Sequence, residues 1–312
     1  MTKGVPVFLG YVGRYAPSPT GDLHVGNVLA AVVTWARAQQ RQGRCLLRIE
    51  DLDTPRVKAE AAERIVADLH TLGLHFDGDV VVQSQRTVAY DQALRVLIDA
   101  DLVYACSCSR KDLAASAPHV GDEGPVYPGT CRARGLDLAA PDVALRVRMD
   151  RLVQRFGNPV VDDLWQGSFT HDVVADVGDF IVRRRDGLFA YQLAVVVDDG
   201  SSQVSEVVRG QDLLSSSPRQ MLLHRALGQV PPAFAHLPML VDDNGHRLSK
   251  RSSGAAELLR TLLQRASPPR VFGHLLHLLG RAEAAAEVNA VEFAQRLDAA
   301  ALQRPTILWR PL

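Results

Sequence analysis

Two short segments, far apart in the chain, carry the side chains that phosphate chemistry calls for. The first is Arg14-Tyr15-Ala16-Pro17-Ser18-Pro19-Thr20-Gly21-Asp22-Leu23-His24-Val25-Gly26-Asn27. An apolar, strand-like run from Val7 to Tyr15 leads into it, and Val25, Leu29, Val32, Val33 and Ala36 follow on one helical face. A strand passing through a Pro/Gly turn into a helix builds a nucleotide site. The first N–H groups of the helix have no internal partner, and the helix dipole adds positive potential there. His24, in the first turn, would donate a hydrogen bond to a phosphate oxygen, and Asn27 can donate another. Gly26 leaves room for a flat base against the backbone. The second segment, Arg247-Leu248-Ser249-Lys250-Arg251, follows a strand and turn from Leu240 to Gly245. A cation on a loop, here Lys250, suits charge that develops on a phosphate.

Three other constellations add polar chemistry. The short apolar run Cys45 to Ile49 ends in Glu50-Asp51-Leu52-Asp53-Thr54-Pro55-Arg56. A strand followed by an acidic loop is where an α/β sheet presents side chains to a ligand, and Glu50 can accept bonds from an amino group. A strand over Val204 to Val208 ends in Arg209, whose guanidinium can hold a carboxylate through two parallel bonds. Cys106, Cys108 and Cys131 bring three thiolates from the two ends of one loop, a donor set suited to tetrahedral zinc. Ligand chemistry alone nominates His119 as the fourth ligand.

The elements that must hold these groups follow from hydrophobic periodicity. Residues 57–73 read as an amphipathic helix through Ile65, Leu69 and Leu72. Val80 to Val82 reads as a strand, and 87–102 as a helix through Ala93, Leu94, Leu97 and Ile98. This βαβα alternation predicts an α/β fold with a doubly wound parallel sheet. The pattern breaks at Tyr104. Residues 132–190 read as an inserted α+β region, with strands at Val143, Leu145, Val147 and Met149, at Val160-Val161 and at Phe180 to Val182. The alternation returns at Tyr191, with a helix at 218–227, and helical patterns occupy 255–266, 270–281 and 291–302. The expected divisions are 1–103 and 191–254 for two halves of one nucleotide-binding domain, 104–190 for the insert, and 255–312 for a helical end.

Composition narrows the classes. At 312 residues, 47% hydrophobic and 22% charged, the chain can bury two or three small cores and is not a disordered polymer. Its formal net charge of zero supplies no global field toward nucleic acid, so any such contact must come from local patches such as Arg132, Arg134 and Arg183 to Arg185. No apolar run reaches the eighteen or so residues that cross a bilayer, and no cleavage signature follows the first residues. A cytoplasmic protein is expected. Three of the four cysteines cluster, which favours a metal over an extracellular disulfide framework.

The same residues carry a family resemblance. His24-Val25-Gly26-Asn27 resembles the His-Ile-Gly-His signature of class I aminoacyl-tRNA synthetases, with Asn27 in place of the second histidine, and Arg247 to Arg251 resembles their Lys-Met-Ser-Lys-Ser loop. Arg-Tyr-Ala-Pro-Ser-Pro-Thr-Gly, Ile-Glu-Asp-Leu-Asp-Thr-Pro-Arg and Val-Arg-Gly-Gln-Asp resemble the glutamyl branch. Cys-x-Cys followed by Tyr-x3-Cys is similar to the glutamyl-queuosine tRNA(Asp) synthetases, in which a tyrosine oxygen completes a zinc site. That resemblance implies Cys106, Cys108, Tyr127 and Cys131 as ligands of one Zn²⁺. It implies Arg14, Tyr15, Ala16, Pro17, Ser18, Glu50, Tyr191 and Arg209 as the L-glutamate site, and His24, Gly26, Asn27 and Lys250 as the ATP site, with Mg²⁺. The expected reaction is formation of glutamyl-adenylate, then transfer of glutamate to queuosine in the anticodon of tRNA(Asp), by a monomer. Charging of tRNA(Glu) by a shortened glutamyl-tRNA synthetase, and a non-catalytic paralogue that binds RNA or protein, are the competing expectations. With the sequence ending at residue 312, the helical anticodon-reading domain of full glutamyl-tRNA synthetases is expected to be missing.

Overall fold

The computed structural model describes residues 10–58, 60–109, 111–112, 120–121, 124–248 and 258–312. Strand β1 (Val12–Tyr15) leads to helix α1 (Val25–Gln40), β2 (Arg44–Ile49), α2 (Ala61–Thr71) and β3 (Val81–Val82). The three strands are parallel, with Arg14 beside Leu46 and Arg48 beside Val81. After α3 (Thr87–Asp99) comes the interruption. Strands β4 (Val103–Cys106), β5 (Val120–Gly121), β6 (Gly124–Pro125) and β7 (Ala144–Val147) precede α4 (Met149–Phe156) and the hairpin β8 (Val160–Asp163) and β9 (Gly167–Thr170). Helix α5 (Val173–Asp176) and β10 (Ile181–Arg183) complete the insert, whose sheet runs β10-β7-β4 with antiparallel neighbours.

The parallel pattern resumes with α6 (Tyr191–Ser201), β11 (Glu206–Gly210), α7 (Ser217–Ala226) and β12 (Ala233–Leu237). β11 and β12 pair in parallel, and Ser205 N donates to Val12 O at 2.9 Å, joining the edge of β11 to β1. The strands therefore run β3-β2-β1-β11-β12. From β1 the chain steps one way to β2, and β11 and β12 lie the other way. The carboxyl ends of β1 and β11 thus flank a topological switch point, where such sheets open a crevice for ligands. Strand β13 (Met239–Val241) follows directly, and α8 (Leu259–Leu263), α9 (Pro268–Leu278), α10 (Ala290–Arg296) and β14 (Thr306–Leu308) close the chain, β14 returning to pair in parallel with β13.

One apolar core lies between α1, the parallel strands and α9–α10, with Leu29, Val32, Phe272 and Phe293 among its members. A second joins the insert to α3, α6 and α7 through Leu94, Leu97, Leu145, Leu152, Leu193 and Leu222. Among the described residues no helix is long and apolar enough to cross a membrane.

Several expected boundaries move. Met149, read as the end of a strand, opens helix α4 instead: Arg148 N still bonds to Leu102 O in register with β4, but Met149 N donates to the Asp179 carboxylate, which turns the chain. Gly10 and Tyr11 precede rather than join β1, and the strand's expected start at Val7 lies outside the described residues. The helix expected over 57–73 is confined to Ala61–Thr71, and that over 87–102 ends at Asp99. The last helical pattern divides at Leu297 into α10 and a 3-10 turn, Ala299–Leu302, capped by Asp298. Strands buried on both faces of a parallel sheet are usually apolar throughout. Here β1, β2 and β11 each bury an arginine, Arg14, Arg48 and Arg209, at 3%, 3% and 5% exposure. Buried arginines need partners, and those partners define the site.

Candidate active site

A cleft of about 640 Å³ opens at the switch point, within the range of small-ligand sites. All the nominated glutamate and nucleotide residues within the described chain line it: Arg14 to Ser18, His24, Gly26, Asn27, Glu50, Tyr191 and Arg209. Lys250 lies outside the described residues. The two ends of its segment do meet the site. Leu248 lines the cleft, and Leu258 forms a bridge with His24, with Leu259 N donating to Leu23 O at 2.8 Å.

His24 proves to be the N-cap of α1 rather than a residue of its first turn. Its Nδ1 accepts the Gly26 N–H at 3.1 Å, so in the neutral ring the proton sits on Nε2. Asn27 completes a capping box: its Oδ1 accepts the His24 N–H at 3.4 Å, which leaves its amide nitrogen as the donor. The cleft approaches the helix N-terminus at its first residues. A Cβ on Gly26 would stand 3.0 Å from His24 Cε1, so glycine here protects the ring's position.

The floor is a buried ionic network. Arg14 Nε donates to Asp199 at 3.1 Å and its Nη1 to Val208 O at 3.3 Å. Arg48 Nη1 meets the same carboxylate at 2.6 Å, and its Nη2 lies 3.2 Å from Glu50 Oε1. Burial alone would raise the pKa of Asp199, but Arg14 and Arg48 outweigh it and hold the carboxyl below its usual range. Glu50 goes the other way: burial pushes its carboxyl up against the pull of Arg48 and Arg14. Arg209 is held by three protein acceptors, His236 Nε2, Gln220 Oε1 and Ser217 Oγ, at 2.8–2.9 Å, with Tyr191 beside it. Burial lowers the pKa of Arg209 and raises that of Tyr191, yet a guanidinium stays charged at any ordinary pH. An arginine fork, a carboxyl whose charge burial disfavours and a capped helix start thus share one cavity. Such a set can bind an amino acid and a phosphate side by side.

Arg48, Asp199, His236 and Asp163 were not nominated from sequence. Arg48 has a readable signal, since it stands two residues before Glu50 at the end of the same strand, and Asp199 lies about two helical turns beyond Tyr191. Asp163 and His236 come from strands 73 residues apart and carry no such signal.

The cysteine loop sits apart from the cleft. The sulfurs of Cys106, Cys108 and Cys131 lie within 4.8 Å of one another. The Tyr127 oxygen is 3.4 Å from Cys106 Sγ and 3.6 Å from Cys108 Sγ, and accepts the Cys131 N–H at 2.8 Å. Tetrahedral zinc with bonds of about 2.3 Å to sulfur and 2.0 Å to oxygen sets S···S near 3.8 Å and S···O near 3.5 Å. The donor set fits that ion. Burial opposes ionisation of Cys131, but hydrogen bonds from Tyr127, the Ser107 backbone, Cys108 and Arg134 lower its pKa to about 6, toward the thiolate a metal requires. His119 lies outside the described residues.

A switch-point cleft opened by a histidine-capped helix is the architecture of class I tRNA synthetases. A family model described as "tRNA synthetases class I (E and Q), catalytic domain" matches residues 11–305, and the chain belongs to that family. Its fold is similar to that of a glutamate tRNA ligase from Elizabethkingia meningosepticum in complex with its amino acid, with a TM-score of 0.80, 22% identity, and 96% of this chain and 67% of that one covered. Within the family it is similar to proteins named glutamyl-Q tRNA(Asp) synthetase. That of Geobacter sulfurreducens is 48% identical over 244 residues, 78% of this chain and 76% of its own. That of Bordetella bronchiseptica is 43% identical over 300 residues, 92% and 90% of the two chains.

Proposed function

We propose that this chain activates L-glutamate with ATP and transfers it to the queuosine base of tRNA(Asp). The observation that carries the reading is the shared cavity: Arg14, Glu50, Tyr191 and Arg209 beside His24, Gly26 and Asn27, in a chain 43–48% identical to glutamyl-Q tRNA(Asp) synthetases. Glu50, raised by burial, gains an ammonium as counter-charge when the amino acid binds. Arg209 takes a carboxylate through its remaining N–H groups, and Ala16, Pro17 and Ser18 close the wall. The helix start, His24 Nε2 and the Asn27 amide face the phosphates, which arrive with Mg²⁺. Glutamate's carboxylate then attacks the α-phosphorus, an acyl–phosphate bond forms, and pyrophosphate leaves. Lys250 neutralises the charge on that leaving group. A queuosine hydroxyl next attacks the acyl carbon and releases AMP. Positioning and charge stabilisation do the work, without a covalent enzyme intermediate.

On this reading 1–103 and 191–254 are the halves of the catalytic domain, 104–190 the insert and 255–312 a helical support. Cys106, Cys108, Tyr127 and Cys131 would hold one structural zinc that staples the insert's loop. Two assays test the reading. Glutamate-dependent ATP–pyrophosphate exchange without tRNA is expected, which a binding-only paralogue would lack. Labelled glutamate is expected on queuosine-containing tRNA(Asp) and on neither queuosine-free tRNA(Asp) nor tRNA(Glu); charging of tRNA(Glu) would overturn the assignment.

A further inference from the structure

We propose that His236 and Asp163 form a positioning pair that aims Arg209 at the substrate carboxylate; the inference rests on the glutamate reading above. A guanidinium has five N–H bonds. The protein occupies one on each nitrogen: Nε donates to His236 Nε2 at 2.9 Å, Nη1 to Gln220 Oε1 at 2.8 Å, and Nη2 to Ser217 Oγ at 2.8 Å. Each terminal nitrogen keeps a second N–H, and the Tyr191 hydroxyl, which bonds to the guanidinium, can give way to a carboxylate that takes both as a fork. That fork shares the cleft wall with Tyr191.

The Nε contact decides where the fork points. To accept from Arg209, His236 Nε2 must be unprotonated, so the ring's proton lies on Nδ1, which donates to Asp163 Oδ2 at 2.5 Å. Asp163 Oδ1 accepts backbone N–H groups from Trp165 at 3.0 Å, Gln166 at 3.0 Å and His236 itself at 3.2 Å. Both side chains of the pair are wholly buried. The carboxylate therefore fixes the tautomer and orientation of the ring, and the ring fixes the guanidinium. Phe234 supports the assembly, its ring 6.2 Å from that of His236 and 5.2 Å from the Arg209 guanidinium carbon. Asp163 belongs to the β8–β9 hairpin, which is fastened to β12 by Leu164 N donating to Phe234 O and Gln166 Nε2 to His236 O. Part of the insert is thereby placed behind the amino-acid pocket, which none of the recognised motifs would indicate.

Isosteric variants separate positioning from simple support. In His236→Gln the amide oxygen reaches the place of Nε2 and can accept from Arg209. In His236→Asn the amide reaches only the place of Nδ1 and meets Asp163 alone. Steady-state ATP–pyrophosphate exchange, with thermal unfolding recorded for each variant, is expected to give His236→Gln a glutamate KM within about 3-fold of the parent. His236→Asn is expected to raise it about 10-fold or more while the KM for ATP stays put, as loss of a bond to a charged group predicts. Asp163→Asn, whose neutral amide no longer enforces the tautomer, moves the glutamate KM in the same direction and serves if His236→Asn does not fold. Equal glutamate KM values in the Gln and Asn variants overturn the inference, and so does a matching rise in the KM for ATP. Absence of glutamate-dependent exchange in the parent protein would instead remove the glutamate reading, and this inference with it.

Discussion

His24 has two duties that a single deletion would confuse. It caps α1 through Nδ1 and faces the cleft, and loss of an N-cap alone costs about 0.5–2 kcal/mol. Asparagine caps as well as any residue but has no second ring nitrogen to donate. His24→Asn is therefore expected to keep the parent's unfolding midpoint within about 2 °C while lowering the exchange rate constant about 100-fold, the scale of one preorganised donor to a developing charge. Calorimetry beside exchange kinetics checks both halves; a parallel fall in stability and rate would make His24 a cap only. Arg14 and Asp199 are poorer probes. Breaking such a buried pair costs about 3–5 kcal/mol, so their variants report on folding before they report on glutamate.

At the scale of elements, what could be read from sequence was what local rules govern. The strand at Cys45 to Ile49, the turn after β1 and the stripes of α2 and α3 are set by periodicity and by Pro/Gly chemistry, and the structure places them within a few residues. The nominated cleft residues fall together because each stands at the end of a strand or the start of a helix. The Asp163–His236–Arg209 chain is different: it is made by a hairpin docking on β12, and no local pattern reports a docking. The cysteine loop is an intermediate case, readable as a donor set but not as a shape. Its neighbours also brace it: Asp179 bonds both Tyr104 at 2.5 Å and Arg132 at 2.9 Å, and Arg146 lies 4.0 Å over the Tyr127 ring. Purified protein should contain one equivalent of zinc by elemental analysis. Cys131→Ser should reduce it below about one fifth and Tyr127→Phe should weaken retention against a chelator by about 10-fold, as is typical when one group supporting a metal site is lost. His119→Ala should change neither. Because none of these residues lines the cleft, exchange is expected to stay within about 3-fold of the parent.

The whole molecule carries an acid sensitivity that follows from where its histidines sit. His224, His236 and His274 are buried in three different parts of the fold, on α7, β12 and α9, and burial lowers the pKa of each below 6.5. The unfolded chain takes up these protons as the pH falls through 6.5, whereas the folded chain resists until its own lower values are reached. Over that window the unfolded state binds more protons, so stability falls as the solution is acidified, by at most about 1.4 kcal/mol per pH unit for each histidine. Asp163 and Asp199 act in the same direction at lower pH. Their carboxyls are depressed in the fold, so they add stability that is complete above 3.8 and is lost as the pH drops through the folded values. Denaturant unfolding at pH 7.5 and 5.5 is expected to show a clearly lower midpoint at 5.5 with an unchanged slope, and His274→Gln should recover part of the difference. Its Nε2 meets the Arg310 carbonyl at 2.7 Å, a bond the glutamine amide can donate without taking up a proton. A midpoint that holds level between the two pH values would mean that these three rings are protonated in the folded chain, against the burial that surrounds them.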